Sequence, residues 1–129
     1  MIAEKAFVKK NWGWEQWFDN NELYCGKLIY IEHGKWSSEG NYHYHKNKTE
    51  TFFVIEGSLR LDYVNSKGTF KSIWLDQNES FKIKKFVKHR FTALSDVACK
   101  FIEVSTTHRD DDSYHVSWDE DTEEWVSVE

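Results

Sequence analysis

The stretch His43-Tyr44-His45-Lys46-Asn47-Lys48-Thr49-Glu50 runs on into Thr51-Phe52-Phe53-Val54-Ile55-Glu56-Gly57, and its reading decides the fold. Two histidines one residue apart on an extended segment point to the same face, because strand side chains alternate with period two. A short polar turn over Lys46–Thr49 lets Glu50 return on the next strand and meet them. A later, isolated His89 adds a third imidazole. Three imidazoles and one carboxylate suit a borderline divalent metal: Zn, Fe(II), Mn, Co, Ni or Cu. Isolated histidines are usually surface or core residues without a metal. Here four ligand residues stand at mutually compatible spacings, which favours the metal.

Outward from this stretch, apolar segments stay short and are separated by polar turns, the pattern of an all-β domain. Candidate strands are Leu23–Ile31, Tyr42–His45, Thr51–Glu56, Ser58–Val64, Thr69–Leu75, Ser80–Ile83, His89–Ala93 and Ala98–Val104. Strands of this length and spacing suit a jelly roll or small barrel. Asn65-Ser66-Lys67-Gly68 reads as a hairpin loop, and Glu56-Gly57-Ser58 as a tight corner where glycine tolerates the backbone. Proline is absent, so turns fall to Gly, Asn, Asp and Ser. Phe52 and Val54 share parity with Glu50 and should line the interior. Phe53 and Ile55 should face a second apolar layer or a dimer interface.

The 129 residues fit one domain. We read residues 1–109 as that domain with an N-terminal arm, and residues 110–129 as an extended or partly ordered acidic arm. The first part holds all 17 Lys and Arg and 13 of the 22 acids; the second holds the other nine acids and no Lys or Arg. The basic body favours a small anionic ligand, or else the acidic arm lies over it as a solvated face. Tyr114, Val116, Trp118, Trp125 and Val126 are positions where the arm would anchor. A sequence pI near 5.7 argues against nucleic acid. No apolar run is long enough to span a membrane, and the N-terminus lacks a signal peptide's apolar block. Cys25 and Cys99 are expected as reduced, buried thiols of a cytoplasmic protein, with one disulfide left open. His33, His108 and His115 read as solvated loop histidines, and Lys82–Arg90 as a solvated face or an anion holder.

The spacing His-x-His-x(4)-Glu-x(6)-Gly matches the first signature of the cupin superfamily. The second signature, Gly-x(5)-Pro-x-Gly-x(2)-His-x(3)-Asn, is recognisable but degraded. With its histidine at His89, Asn78 and Phe86 stand at its two glycines, Lys84 at the proline and Ala93 at the asparagine. The resemblance implies a double-stranded β-helix jelly roll with metal held by His43, His45, Glu50 and His89. Flanking segments narrow it. Trp12-Gly13-Trp14-Glu15, Lys88-His89-Arg90-Phe91 and Ile102-Glu103-Val104-Ser105 with Asp110-Asp111-Asp112 resemble the type II mannose-6-phosphate isomerase cupins. Asn11 stands where that family has proline, and His115 where it has an arginine. The family's nucleotidyltransferase domain is missing, so this would be a stand-alone cupin.

That resemblance implies aldose–ketose isomerisation of a sugar phosphate, most plausibly mannose 6-phosphate. Glu103 would be the base or a partner of the metal ligands. Lys88, Arg90 and Lys48 would hold the phosphate, although Lys48 reads better as an exposed charge. Two further readings stay open. An Fe(II) dioxygenase uses the same donor set, and a non-enzymatic cupin would bind a sugar or other small ligand. Cupins commonly pair into homodimers, and strand Thr51–Ile55, apolar on both faces, is consistent with that.

Overall fold

Strict alternation along Glu50–Glu56 sets the architecture: Glu50, Phe52 and Val54 are buried, whereas Phe53 is 39% exposed. The inward and outward sides fall as parity requires. In the computed structural model, which describes residues 1–128, such strands build two antiparallel sheets. In chain order they are β1 (Ala6–Lys10), β2 (Gly13–Asn20), β3 (Cys25–Ile31), β4 (Tyr42–Tyr44), β5 (Glu50–Glu56) and β6 (Leu59–Val64). Then come β7 (Phe70–Leu75), β8 (Ser80–Ile83), β9 (His89–Ala93), β10 (Cys99–Ser105), β11 (Tyr114–Asp119) and β12 (Glu124–Ser127). One sheet has the order β1-β2-β3-β10-β5-β8 and the other β12-β11-β4-β9-β6-β7. Together they form the jelly-roll barrel.

Ile29, Ile31, Phe52, Val54, Leu59, Leu61, Phe91 and Phe101 fill the space between the sheets. Phe52, Phe91 and Phe101 meet one another with centroids 5.0–5.8 Å apart, which seals the core below the histidines. No helix of the described residues is long and apolar enough to cross a membrane.

Both ends of the chain differ from expectation. The N-terminal arm is two strands: β1 pairs β2, and β2 pairs β3 along most of its length. The acidic arm is also woven in, with β11 pairing β4 on one side and β12 on the other. Counting acids misleads here because they gather in turns, at Asp110–Asp112 and around Glu120–Glu123. The strands between carry Trp118 and Trp125, which pack at 5.2 Å, while Phe70 of the neighbouring hairpin stacks on Trp125 at 5.6 Å.

The two cysteines are free and buried. Cys25 lies opposite Ser105 and Cys99 opposite Ile31, at opposite ends of the β3–β10 ladder. At roughly 3.3 Å per residue the two are far beyond disulfide reach.

Gly57 has a φ of +79°, and a Cβ there would drive into the Ala98 carbonyl oxygen. The degraded second signature keeps the same backbone without glycine: Asn78 has φ 70° and Phe86 φ 68°. Asn tolerates the left-handed region, but a bulky side chain does not. Phe86 is held there by its amide, which donates to the His45 carbonyl at 2.7 Å and so ties the β8–β9 turn to a histidine-bearing loop. The left-handed penalty for Phe86 is about 1–2 kcal/mol, against about 0.5–1 kcal/mol of extra chain entropy for glycine. Phe86→Gly should therefore stabilise the protein by up to about 1.5 kcal/mol in urea unfolding. A loss of stability would show that the Phe86 ring itself holds the turn.

Candidate metal centre

Register brings the donors together from both sheets. His43 on β4 lies directly opposite His89 on β9, and their rings are 4.1 Å apart. His45 follows β4 at the mouth of the connecting loop, its ring 5.2 Å from that of His43. Glu50 opens β5 in the facing sheet. One donor atom from each of these four residues lies within 4.8 Å of the others. The segment that decides the fold thus delivers three of four donors, and β9 delivers the last.

Hydrogen bonds fix where the protons are. His45 Nδ1 donates to the Asp112 carbonyl at 2.7 Å, and His89 Nδ1 donates to the Val87 carbonyl at 2.9 Å. A carbonyl only accepts, so both rings carry a proton on Nδ1 and turn Nε2 inward. His89 Nε2 stands 2.8 Å from Glu50 Oε1, and His45 Nε2 stands 3.7 Å from Glu50 Oε2. The shorter approach is at ion-pair distance, yet among the described residues His89 Nε2 and Glu50 Oε1 have no hydrogen-bond partner; nor do His45 Nε2 and His43 Nδ1. Four buried polar atoms thus converge on one gap without hydrogen-bond partners.

Electrostatics favours the metal-binding protonation states. Burial, reinforced by His89 and His45, pushes the His43 pKa well below its ordinary value. Burial lowers that of His45 to about 4 despite the attraction of Glu50. Burial opposes charge on Glu50, but His89, Lys48 and His45 outweigh it and hold the carboxyl well below the usual range. Neutral His43 and His45 and an ionised Glu50 are in the protonation states that a divalent ion requires. Buried lone pairs without a donor are costly, and a cation satisfies all of them at once. The four side chains therefore form a centre fit for a divalent metal.

The centre opens into a cavity of about 470 Å³. Glu103, on the inward side of β10, lines it at 6% exposure. Burial first, and then Glu50, raise its pKa against the pull of Lys27 and Lys48. Lys48 Nζ lies 3.4 Å from both Glu50 Oε2 and Glu103 Oε2. Lys27 Nζ lies 3.8 Å from Glu103 Oε2 and 3.7 Å from Glu15 Oε1, beneath the Trp17 ring at 4.4 Å. Both ammonium groups also reach His108 Nδ1, at 3.2 and 3.3 Å. That nitrogen accepts from them, so Nε2 bears the proton and donates to Asp110 at 3.1 Å. Acids and cations thus alternate from Glu50 through Lys48, Glu103 and Lys27 to Glu15.

Several expectations need correction. Lys48 is no exposed charge: it is 3% exposed and sits inside the site. Arg90 has parity opposite to His89 and turns to the outer face, where it donates to Asp62 and the Gly40 carbonyl and stacks between Trp36 and Tyr42. Lys88 shares that parity and lies over Tyr44 and Trp125. Neither cation joins the metal donors. Of the histidines read as solvated, His33 is exposed and bonds the Ser95 carbonyl, but His108 and His115 line the cavity. His115 stacks on His43 at 5.7 Å because β11 places it opposite.

Sequence reasoning missed Glu15, Lys27 and Asp112. Lys27 carried a readable signal, since it shares parity with Cys25, Ile29 and Ile31 in an otherwise apolar strand. A lysine on that inward row needs an acid beside it. Glu15 and Asp112 stand in segments that carry the family resemblance, but nothing local in the sequence assigns either a role at the site.

Known proteins place the fold. The model of the cupin domain family matches residues 27–105. No curated protein matches the sequence. Among solved structures, oxalate decarboxylase from Bacillus subtilis superposes with a TM-score of 0.76 at 16% identity, over 88% of this chain and 30% of that one. The formate complex of the Lactobacillus farciminis oxalate decarboxylase gives a TM-score of 0.73 at 17% identity, over 87% and 34%. KdgF from Halomonas sp. gives 0.66 at 15% identity, over 84% and 91%. This chain spans about a third of the decarboxylases' length, and the likeness is one of fold. With the family match covering more than half of its length, the chain belongs to the cupin family.

Proposed function

We propose that this cupin is a metal-dependent enzyme that moves a proton between adjacent carbons of a small hydroxycarbonyl sugar, an aldose–ketose isomerisation. One observation carries the reading: Glu103, a buried carboxyl with a raised pKa, shares the cavity with His43 and His45 and is joined to Glu50 through Lys48. His43, His45, Glu50 and His89 hold the ion, which when bound supplies Lewis-acid polarisation of a carbonyl and its neighbouring hydroxyl. Glu103 takes the proton from the carbon bearing that hydroxyl and returns it to the carbonyl carbon, while the hydroxyl's own proton passes to the former carbonyl oxygen. Lys48 and Lys27 fix the carboxylate's position and keep it from turning away. Burial disfavours a charge on Lys48, but Glu103 and Glu50 outweigh that and keep it protonated. Trp12 and Trp17 give the cavity the flat apolar walls that suit a sugar ring.

Mannose 6-phosphate remains the finer candidate on the resemblance. Its phosphate would have to find cations other than Lys88 and Arg90, and Lys10 at the cavity wall is available. The unphosphorylated aldose is thereby an equal candidate. The Mn(II) centres of the Bacillus subtilis oxalate decarboxylase support manganese among the candidate ions. Outward Phe53 and Val104 support the reading of a homodimer, and the buried free thiols that of a cytoplasmic protein.

Two measurements test this. Metal analysis after loading with Mn, Zn, Co, Ni or Fe(II) and desalting should find about one ion per chain, reduced at least tenfold in His45→Ala. Equal metal content in wild type and variant would remove His45 from the centre. Incubation with mannose or mannose 6-phosphate in D₂O should place deuterium on the carbon next to the carbonyl, read by NMR. Glu103→Gln should slow that exchange by about 10²–10⁴-fold while the metal content stays. Oxygen uptake without deuterium incorporation would replace the isomerase with the Fe(II) oxygenase. Binding of either sugar with neither reaction would leave a ligand-binding cupin.

A further inference from the structure

Asp112 belongs to none of the strands and lies outside the residues matched by the cupin family. It sits in a short turn, Asp110–Asp112, and unlike its two neighbours it is buried, at 3% exposure. Every acceptor it owns is spent on one segment. Its carboxylate takes the backbone N–H of Lys46 at 2.9 Å on Oδ1 and that of Asn47 at 3.0 Å on Oδ2. Its main-chain carbonyl takes the His45 Nδ1 proton at 2.7 Å. One residue thus grips three consecutive positions of the loop between β4 and β5.

That loop matters because His45, Lys48 and Glu50 lie on it or at its end. It has no sheet partners of its own, so its position must come from outside. Thr106 contributes on the other side: its hydroxyl accepts the Thr49 N–H at 3.2 Å, and its N–H donates to the Thr49 carbonyl at 3.1 Å. Phe86 holds the His45 carbonyl. Only Asp112 reaches an imidazole as well as the backbone. Burial would raise the Asp112 pKa, but the two amide bonds outweigh it, so the carboxylate stays ionised and both of its oxygens remain acceptors.

We propose that Asp112 is a positioning residue for the metal centre: its carboxylate clamps the Lys46–Asn47 backbone so that its carbonyl fixes the tautomer and orientation of His45. Two links follow from one side chain. The clamp sets where the loop runs, and the carbonyl sets which His45 nitrogen faces the donors. A carboxylate is needed because two parallel N–H groups demand two acceptor oxygens; asparagine offers one and would aim an NH₂ at an N–H. The role rests on His45 being a ligand, but the clamp itself exists without any metal.

The test therefore has a metal-free arm and a metal-loaded arm, both on the full chain. In metal-free wild type, the His45 Nδ1 proton should be visible by NMR and slow to exchange with water. In Asp112→Ala that protection should fall at least tenfold. In the Co(II)-loaded proteins, Asp112→Ala should bind about 10–100-fold more weakly and shift the visible absorption bands. Asp111→Ala, one residue away and exposed, should leave protection, affinity and spectrum as in wild type. Should Asp112→Ala fail to fold, Asp112→Asn takes its place, with smaller changes in the same directions. Unchanged proton protection in the folded variant overturns the clamp. Lost protection with unchanged Co(II) affinity and spectrum overturns its role at the metal while leaving the clamp in place. A wild type that binds no Co(II) but loses protection in Asp112→Ala would instead count against His45 as a ligand.

Discussion

Four buried polar atoms brought together inside a barrel without hydrogen-bond partners are the constraint on which this structure rests. His45 and His89 spend an N–H group each on carbonyls behind them and present Nε2 to the interior. Glu50 presents more acceptors into the same space, at 2.8 Å from His89. Without a positive charge this arrangement is repulsive as well as desolvated, and burial makes both effects larger. Lys48 relieves part of it from the side, at 3.4 Å from Glu50. A divalent ion relieves the rest. Core, register and loop contacts can all be read as means of holding these acceptors in place against their mutual repulsion.

The barrel achieves this by dividing the donors between its sheets. His43 and His89 are neighbours on β4 and β9, and Glu50 reaches them from β5 in the other sheet. The phenylalanine cluster beneath them fixes the spacing of the sheets, since close-packed aromatic contacts leave little room for sliding. Beyond the metal donors, the row Glu50–Lys48–Glu103–Lys27–Glu15 crosses the cavity with alternating sign. Breaking one partner of such a buried row leaves an uncompensated charge, so its members depend on one another. The same row gives Glu103 a defined place.

Much of this was legible in the residues themselves. Period-two alternation around Glu50 placed Phe52 and Val54 inside and Phe53 outside, and the structure agrees. Spacing alone grouped His43, His45, Glu50 and His89, because strand parity turns a sequence interval into a direction. What failed was parity carried by charge rather than by apolar residues. Arg90 and Lys88 seemed near His89 in sequence, yet adjacent strand residues face opposite ways. Lys48 seemed an ordinary surface cation, and only its partners from β5 and β10 make its burial tolerable. The acidic terminal segment hid two strands because its acids sit in turns while tryptophans do the packing. Contacts between segments distant in sequence, such as Asp112 with Lys46 and Asn47, have no local signature.

X-ray absorption at the edge of the bound metal tests the central claim most directly. The protein loaded with Zn or Mn should show nitrogen and oxygen neighbours at about 2.0–2.3 Å, with the multiple-scattering pattern of about three imidazoles and no sulfur. A first shell of water and carboxylate oxygens without imidazole scattering would contradict the account.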